Sequence, residues 1–167
     1  ASEILDYVLA DMRSPGGAFY FAWDADSEGV EGKYYVWSKP ELMAVLGERE
    51  GEIFCSYYDV TDQGNWEGCN ILNVQREAAV VARLHGISEA QLDEILSNAR
   101  MRLLQVRIRR VPPALDDKIL TAWNALMIAS LARAAVILGE RRYAQAASKA
   151  ADFILTRMYD RGTGVLL

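Results

Sequence analysis

Residues 116–158 read DDKILTAWNALMIASLARAAVILGERRYAQAASKAADFILTRM, and this stretch decides the fold class. Ile119, Trp123, Leu126, Met127, Leu131, Ala134 and Leu138 recur at helical spacing, so the spacing predicts an amphipathic helix beginning at Asp116 or Asp117 and stopped by Gly139. A carboxylate at that start is favourable beside the positive end of the helix dipole. After a short turn, Tyr143, Ala146, Ala147, Ala150, Phe153 and Ile154 mark the apolar side of a second helix, from about Arg141 to Met158. Two long amphipathic helices joined by a short loop must pack antiparallel, and the alanines let them approach closely.

Upstream, the same periodicity recurs with clear punctuation. Ile4, Leu5, Val8 and Leu9 place a helix over Ser2–Met12, broken by Ser14-Pro15-Gly16-Gly17. Ser38-Lys39-Pro40-Glu41 and Ser88-Glu89-Ala90-Gln91 are capping boxes that open further helices. The first of these ends at Gly47 and is followed by a helix over Glu48–Tyr58. The second carries the stripe Leu92, Ile95, Leu96, Ala99, Leu103 and Val106, and Val111-Pro112-Pro113 closes that segment. Arg76–His85 is a shorter helix. Aromatic-rich Ala18–Trp23 and Lys33–Trp37 suit strands of a hairpin whose long tip is the acidic loop between them, and Thr61–Val74 is polar loop ending in a short extended piece. The tail from Asp160 turns through Gly162 and Gly164 into a strand or helix start at Val165. Helices dominate and strands are few, so the expectation is one mostly helical domain over residues 1–167 with a small β-hairpin insertion.

Bulk properties narrow the function. The 167 residues are about half apolar, which excludes disorder, and 18 basic residues against 23 acidic ones leave a net charge of −5. No basic face for nucleic acid is expected. Arg100, Arg102, Arg107, Arg109 and Arg110 read as the solvated side of a helix and its exit. Ala125–Leu138 is the longest apolar run, interrupted by Ser130 and Arg133, so no membrane span is expected. The amphipathic, acidic N-terminus is unlike a signal peptide, and a cytoplasmic location is expected. Cys55 and Cys69 form no redox or zinc pattern and read as free thiols. His85, the single histidine, reads as a helix C-terminal residue, which makes a histidine-based triad improbable. No metal or cofactor motif is expected.

Three polar clusters carry whatever chemistry the chain has. Asp24, Asp26, Glu28 and Glu31 form an acidic loop, which reads either as paired carboxylates for acid–base work or as an exposed turn. Its likeness to a calcium loop fails at Tyr35, where a carboxylate is required. Asn65, Trp66, Glu67 and Asn70 offer amides and an indole face to a polyol, or simply hold a tight loop. Asp116, Asp117 and Lys118, with Trp123 and Asn124 one to two turns on, place carboxylates, an ammonium and an amide near a helix start. Arg110 reads as an ion-pair partner for Asp116 or Asp117.

Four segments also resemble one family. They are Gly17–Gly29 (GAFYFAWDADSEG), Glu31–Trp37 (EGKYYVW), Gly64–Leu72 (GNWEGCNIL) and Asp116–Asn124 (DDKILTAWN). They are similar to the signature blocks of the thioredoxin-domain-containing family that includes spermatogenesis-associated homologues. Two positions depart from its pattern. Ala125 stands where glycine is expected, and Cys69 stands where a basic residue is expected. The resemblance implies a fragment of an α/α toroid of helical hairpins, similar to those of sugar epimerases and six-hairpin glycosidases. It also implies an N-terminal thioredoxin-like domain absent from this chain. On that basis Asp24, Asp26, Asp116 and Asp117 are candidate catalytic carboxylates. Glu28, Glu31, Asn65, Trp66, Glu67, Asn70, Lys118, Trp123 and Asn124 are candidate contacts for a sugar-like ligand. The alternative is a non-catalytic binding or scaffold module accompanying a thioredoxin-like domain. A toroid fragment exposes helix faces that neighbours would cover, so a homodimer is expected.

Overall fold

The computed structural model describes residues 1–166. Among them, seven α-helices and three two-stranded antiparallel ribbons follow one another as α1 (Ser2–Asp11), β1 (Ala22–Trp23), β2 (Asp26–Ser27), β3 (Val30–Glu31), α2 (Lys39–Leu46), α3 (Glu48–Tyr57), α4 (Ala78–Leu84), α5 (Glu89–Arg107), β4 (Leu115–Asp116), α6 (Thr121–Leu138), α7 (Arg141–Phe153), β5 (Tyr159–Asp160) and β6 (Val165–Leu166). The fold is therefore mostly α with small β insertions. The chain divides into two compact units, one formed by Ala1–Asp24 together with the chain from Leu115 onward, the other by Ala25–Ala114.

The first unit is built on the α6–α7 hairpin, turned at Gly139 in the left-handed conformation. Leu131, Tyr143, Ala146, Ala147 and Ala150 are buried there with Val8 of α1 and Phe19. Asn124, 1% exposed, lies in this interior. Its side-chain oxygen accepts from Phe19 N (2.7 Å), and its amide donates to the carbonyls of Phe19 and Leu120 (3.0 Å each). Tyr143 donates its phenol to Asp6 (2.9 Å), which also pairs with Arg142 (2.8 Å) and fastens α7 to α1. Burial, and then the bond to Asp6, push the Tyr143 phenol above its ordinary range. α7 runs on into a π-helical turn, Ile154–Met158, before the β5–β6 ribbon.

The second unit packs α2, α3, α4 and α5 around Trp37, Leu42, Phe54, Val81, Leu92, Leu96, Ala99 and Leu103. Both capping boxes form: Ser38 Oγ accepts from Glu41 N while Glu41 accepts from Ser38 N, and Ser88 and Gln91 repeat the arrangement. Cys55 is buried here, and desolvation raises its thiol pKa. Both cysteines are free.

Several local expectations are corrected. Ala18–Trp23 does not pair with Lys33–Trp37. β1 pairs instead with β4 (Ala22 opposite Asp116), and the hairpin lies within the acidic tip, with Asp26 opposite Glu31. Asp116 consequently sits in a strand, and α6 starts five residues later at Thr121. Leu120 and Glu140, the residues before α6 and α7, make no side-chain cap bond, which leaves sequence without a start signal there. The fourth helix begins at Ala78, later than Arg76. The extended Ile71–Val74 makes no strand, although neighbouring Asn70 forms a bridge with Trp37.

The arginines of α5 and its exit divide: Arg100, Arg102 and Arg109 are exposed, as a solvated face requires, while Arg107 and Arg110 are half-buried. Arg102 pairs with Glu50 (2.8 Å) and also donates to the Val45 carbonyl, Arg107 lies over the Tyr34 and Tyr35 rings, and Arg110 stacks on Trp37. On α6 the inward positions are 124, 127, 128, 131, 134 and 135, so Trp123, Leu126 and Ile137 stand on the opposite face, 60%, 70% and 79% exposed. That helix, at 18 residues and mean hydropathy 1.5, is by length and composition apolar enough to cross a membrane, which counting uninterrupted apolar residues missed. Its inner face is engaged with α7, whose Arg141, Arg142 and Lys149 a span would have to leave behind.

Candidate functional site

The polar clusters sort between the two units. Two of them come together in the unit formed by Ala25–Ala114. The acidic tip folds as a two-residue turn, Ser27-Glu28-Gly29-Val30, with φ of 54° at Glu28 and 74° at Gly29. Positive φ at both central positions is type I′ geometry, which matches the twist of the flanking strands but strains a side chain other than glycine or asparagine. The polar loop repeats the device: Trp66-Glu67-Gly68-Cys69 turns with φ of 45° at Glu67 and 80° at Gly68, closed by Cys69 N donating to Trp66 O at 2.8 Å. Gly64 stands at φ 73°, and a β-carbon there would lie 2.1 Å from Cys69 O, so only glycine fits against this turn.

These two Glu-Gly turns meet beside Gly32, where a β-carbon would stand 3.8 Å from Trp66 Nε1. Around them opens a cleft of about 450 Å³ whose walls include Ser27, Glu28, Lys33, Tyr34, Glu41 and Cys69. Arg109 and Arg110 complete its far wall. Glu28 pairs with Lys33 (2.8 Å), and Glu41 pairs with Arg110 (3.5 Å). Arg110 also donates to the carbonyls of Tyr34 (3.0 Å) and Val36 (2.8 Å). Its partner is thus Glu41 and the backbone, correcting the expected pairing with Asp116 or Asp117. Ser27 Oγ donates to Val111 O (2.5 Å), tying the hairpin to the chain leaving α5.

The remaining predicted residues of this unit have defined places. Asp26 and Glu31 face each other across the hairpin and are exposed. Asn65 grips the backbone of Ile71, accepting from its N (2.8 Å) and donating to its O (3.0 Å). Asn70 is 1% exposed, its amide bonded to Trp37 O, Thr61 O and Thr61 N. Both asparagines position loops. Trp66 keeps an exposed indole, and Glu67 points from its turn into solvent-exposed surface.

In the other unit, Asp116 pairs with Lys118 (3.1 Å), whose ammonium lies over the Phe21 ring, and Phe21 meets Trp123 edge-on at 5.3 Å. Asp24 follows β1 and Asp117 follows β4, both exposed. Asn124 lies beneath, committed to the backbone of Phe19 and Leu120. Among the described residues no group of three or more His, Cys, Asp or Glu is placed to hold a metal ion.

Sequence reasoning overlooked Ser27, Lys33, Tyr34, Glu41 and Arg109 as cleft residues. Glu41 was legible only as a cap, and the arginines only as surface. The one usable signal was the repeated Glu-Gly pair, whose awkward residue type in a tight turn marks strain near a site.

The architecture defines a mostly helical protein decorated with short ribbons. No family model matches the chain. It is similar to spermatogenesis-associated protein 20 of Homo sapiens, 31% identical over 192 residues that cover 100% of the chain and 24% of that protein. The protein of the same name from Mus musculus is 29% identical over 99% of the chain and 24% of its own length. An uncharacterised protein of Caenorhabditis elegans is 30% identical over 96% of the chain and 25% of its own length. The chain spans about a quarter of the length of the curated relatives it matches.

Proposed function

We propose that the cleft between the two Glu-Gly turns binds a small polyhydroxylated molecule, of the sugar class, as part of a longer toroid-type protein. The observation that carries this is the alternation of carboxylate, ammonium, guanidinium and phenol around one cleft of about 450 Å³ with an exposed indole beside it. Alternating donors and acceptors match the hydroxyls of a sugar, and an aromatic face matches its C–H side. The α6–α7 hairpin supports the toroid reading, since that architecture is assembled from such pairs.

Binding is favoured over acid–base catalysis. Glu28 and Glu41 are ion-paired and about half exposed. Such carboxylates accept hydrogen bonds from hydroxyls well. A catalytic role for Asp24, Asp26, Asp116 and Asp117 requires them around one substrate. The non-catalytic reading requires only the cleft.

Isothermal titration against a panel of neutral sugars and sugar phosphates tests the proposal. Saturable binding that weakens at least tenfold in Glu28→Gln and in Arg109→Gln is expected. Sugar binding of unchanged affinity in both variants, or no binding by any panel member, rejects the cleft as the site.

A further inference from the structure

The cleft of the second unit holds more positive charge than negative. Both of its carboxylates are committed. Glu28 pairs with Lys33 (2.8 Å). Glu41 Oε2 accepts from Ser38 N and Ser38 Oγ (3.0 Å each), and Glu41 Oε1 faces Arg110 (3.5 Å). Lys33 and Arg110 are thereby offset, and Arg109 is left over. Among the described residues its guanidinium has no ion pair and no side-chain hydrogen bond, yet it lines the cleft. Asp26 and Glu31 do not supply the missing acid. Strand residues alternate between faces, and Ser27 is the strand residue that turns to the cleft, so neighbouring Asp26 and its partner Glu31 project from the other face of the hairpin.

Two further observations point to a ligand that carries charge. Arg107 adds a second cation without a carboxylate. It lies over the Tyr34 and Tyr35 rings, 5.6 Å from each centroid, and its Nε is buried with no hydrogen-bond partner. A guanidinium held by ring faces keeps its charge in the local field. The same packing holds the Tyr34 ring, which also meets Tyr35 edge-on at 4.9 Å. Tyr34 lines the cleft, and among the described residues its phenol has no hydrogen-bond partner. A fixed ring with an unused O–H is a ready donor. The wall itself is rigid. Arg110 stacks on buried Trp37 at 4.0 Å, and the backbone N–H groups of Arg109 and Arg110 donate to Val106 O (3.1 Å) and Arg107 O (2.9 Å). Around this cleft Lys33, Arg107, Arg109 and Arg110 stand against Glu28 and Glu41, in a chain whose net charge is −5.

We infer that the ligand of this cleft is an anionic sugar, one bearing a carboxylate or a phosphate, which Arg109 selects by pairing with that group while Tyr34 donates its phenol. The inference rests on the sugar-binding reading of the cleft and adds the charge of the ligand to it. A planar guanidinium with free N–H donors matches either oxyanion, whereas a neutral hydroxyl leaves its charge unmatched.

The test is calorimetric titration of the whole chain, at matched ionic strength, with each neutral sugar of the panel above beside its phosphate and its uronic acid. One anionic form should bind roughly tenfold tighter than the neutral sugar, the scale of a charged hydrogen bond. A preferred uronic acid assigns the group as carboxylate and a preferred phosphate assigns it as phosphoryl. Arg109→Gln should abolish the preference while the neutral sugar binds as before. Glu28→Gln should weaken every form and keep the preference, and Tyr34→Phe should weaken the anionic form. Arg83→Gln, which removes the same charge from an exposed position on α4, should leave the preference unchanged. Neutral and anionic forms bound equally, with affinity still lost in Glu28→Gln, overturn the charge assignment and leave the sugar reading standing. Equal loss of preference in Arg109→Gln and Arg83→Gln marks a diffuse charge effect and also overturns it. Binding by no member of the panel rejects the sugar reading and this inference with it.

Discussion

Glu28 and Glu67 occupy the same uncommon backbone state, each at the first central position of a type I′ turn. A residue with a β-carbon resists that state, and asparagine resists it least. Glu67→Asn should therefore raise stability by about 0.5–1 kcal/mol, read as a shift in the urea midpoint at constant slope. Glu28→Asn should raise it similarly while shortening the side chain that reaches Lys33, so that stability and ligand affinity move in opposite directions. Gly64→Ala should do the reverse. The left-handed φ and the collision with Cys69 O together cost about 2–4 kcal/mol, and proteolysis within residues 61–74 should accelerate. A destabilised Glu67→Asn would contradict the strain assigned to that turn. These turns were half legible. A Glu-Gly pair announces a turn, but its register depends on Asp26 meeting Glu31 and Trp66 meeting Cys69, contacts that alternation along the chain does not specify.

Helices were the most legible elements because each has an internal period and, for α2 and α5, a capping box that fixes its first residue. Where the cap is missing, the start drifted. The acidic pair Asp116-Asp117 resembled a helix opening, yet the pairing of Asp116 with Ala22 holds it in a ribbon, and tertiary pairing overrode the local signal. The faces were less legible still. α6 is apolar nearly all round, so its period could not say which side faces inward. Asn124 decides it, because its amide must reach the Phe19 backbone. Replacing Asn124 with Ala leaves the N–H and carbonyl of Phe19 unpaired in the interior, a loss of about 2–4 kcal/mol measured by chemical denaturation. A change below about 0.5 kcal/mol, within the scatter of surface substitutions, would remove Asn124 as the orienting residue.

At the scale of the whole molecule, the outer face of α6 dominates. Trp123, Leu126, Val136 and Ile137 are exposed together with Ala122, Ala125, Ala129 and Ala132, interrupted by Ser130 and Arg133. Contiguous apolar surface of that kind drives association, so this chain should show a concentration-dependent rise in mass by light scattering, suppressed by Leu126→Lys with Ile137→Lys. A constant monomer mass up to high concentration would leave that face without an associating role. Composition foresaw a buried interior. It could not foresee two units, because Pro112-Pro113 and the acidic loop from Asp24 read as turns between elements, and the division is defined by which residues touch.

The β1–β4 ribbon sets Trp23 opposite Leu115, so the two strands that bracket residues 25–114 run side by side although some ninety positions apart in the chain. Neighbouring strands lie about 5 Å from one another, a gap a single short turn can bridge. The intervening stretch is thus topologically a cassette: its entrance and exit share one doorway, and evolution can lengthen, exchange or delete it while the surrounding helices keep their thread.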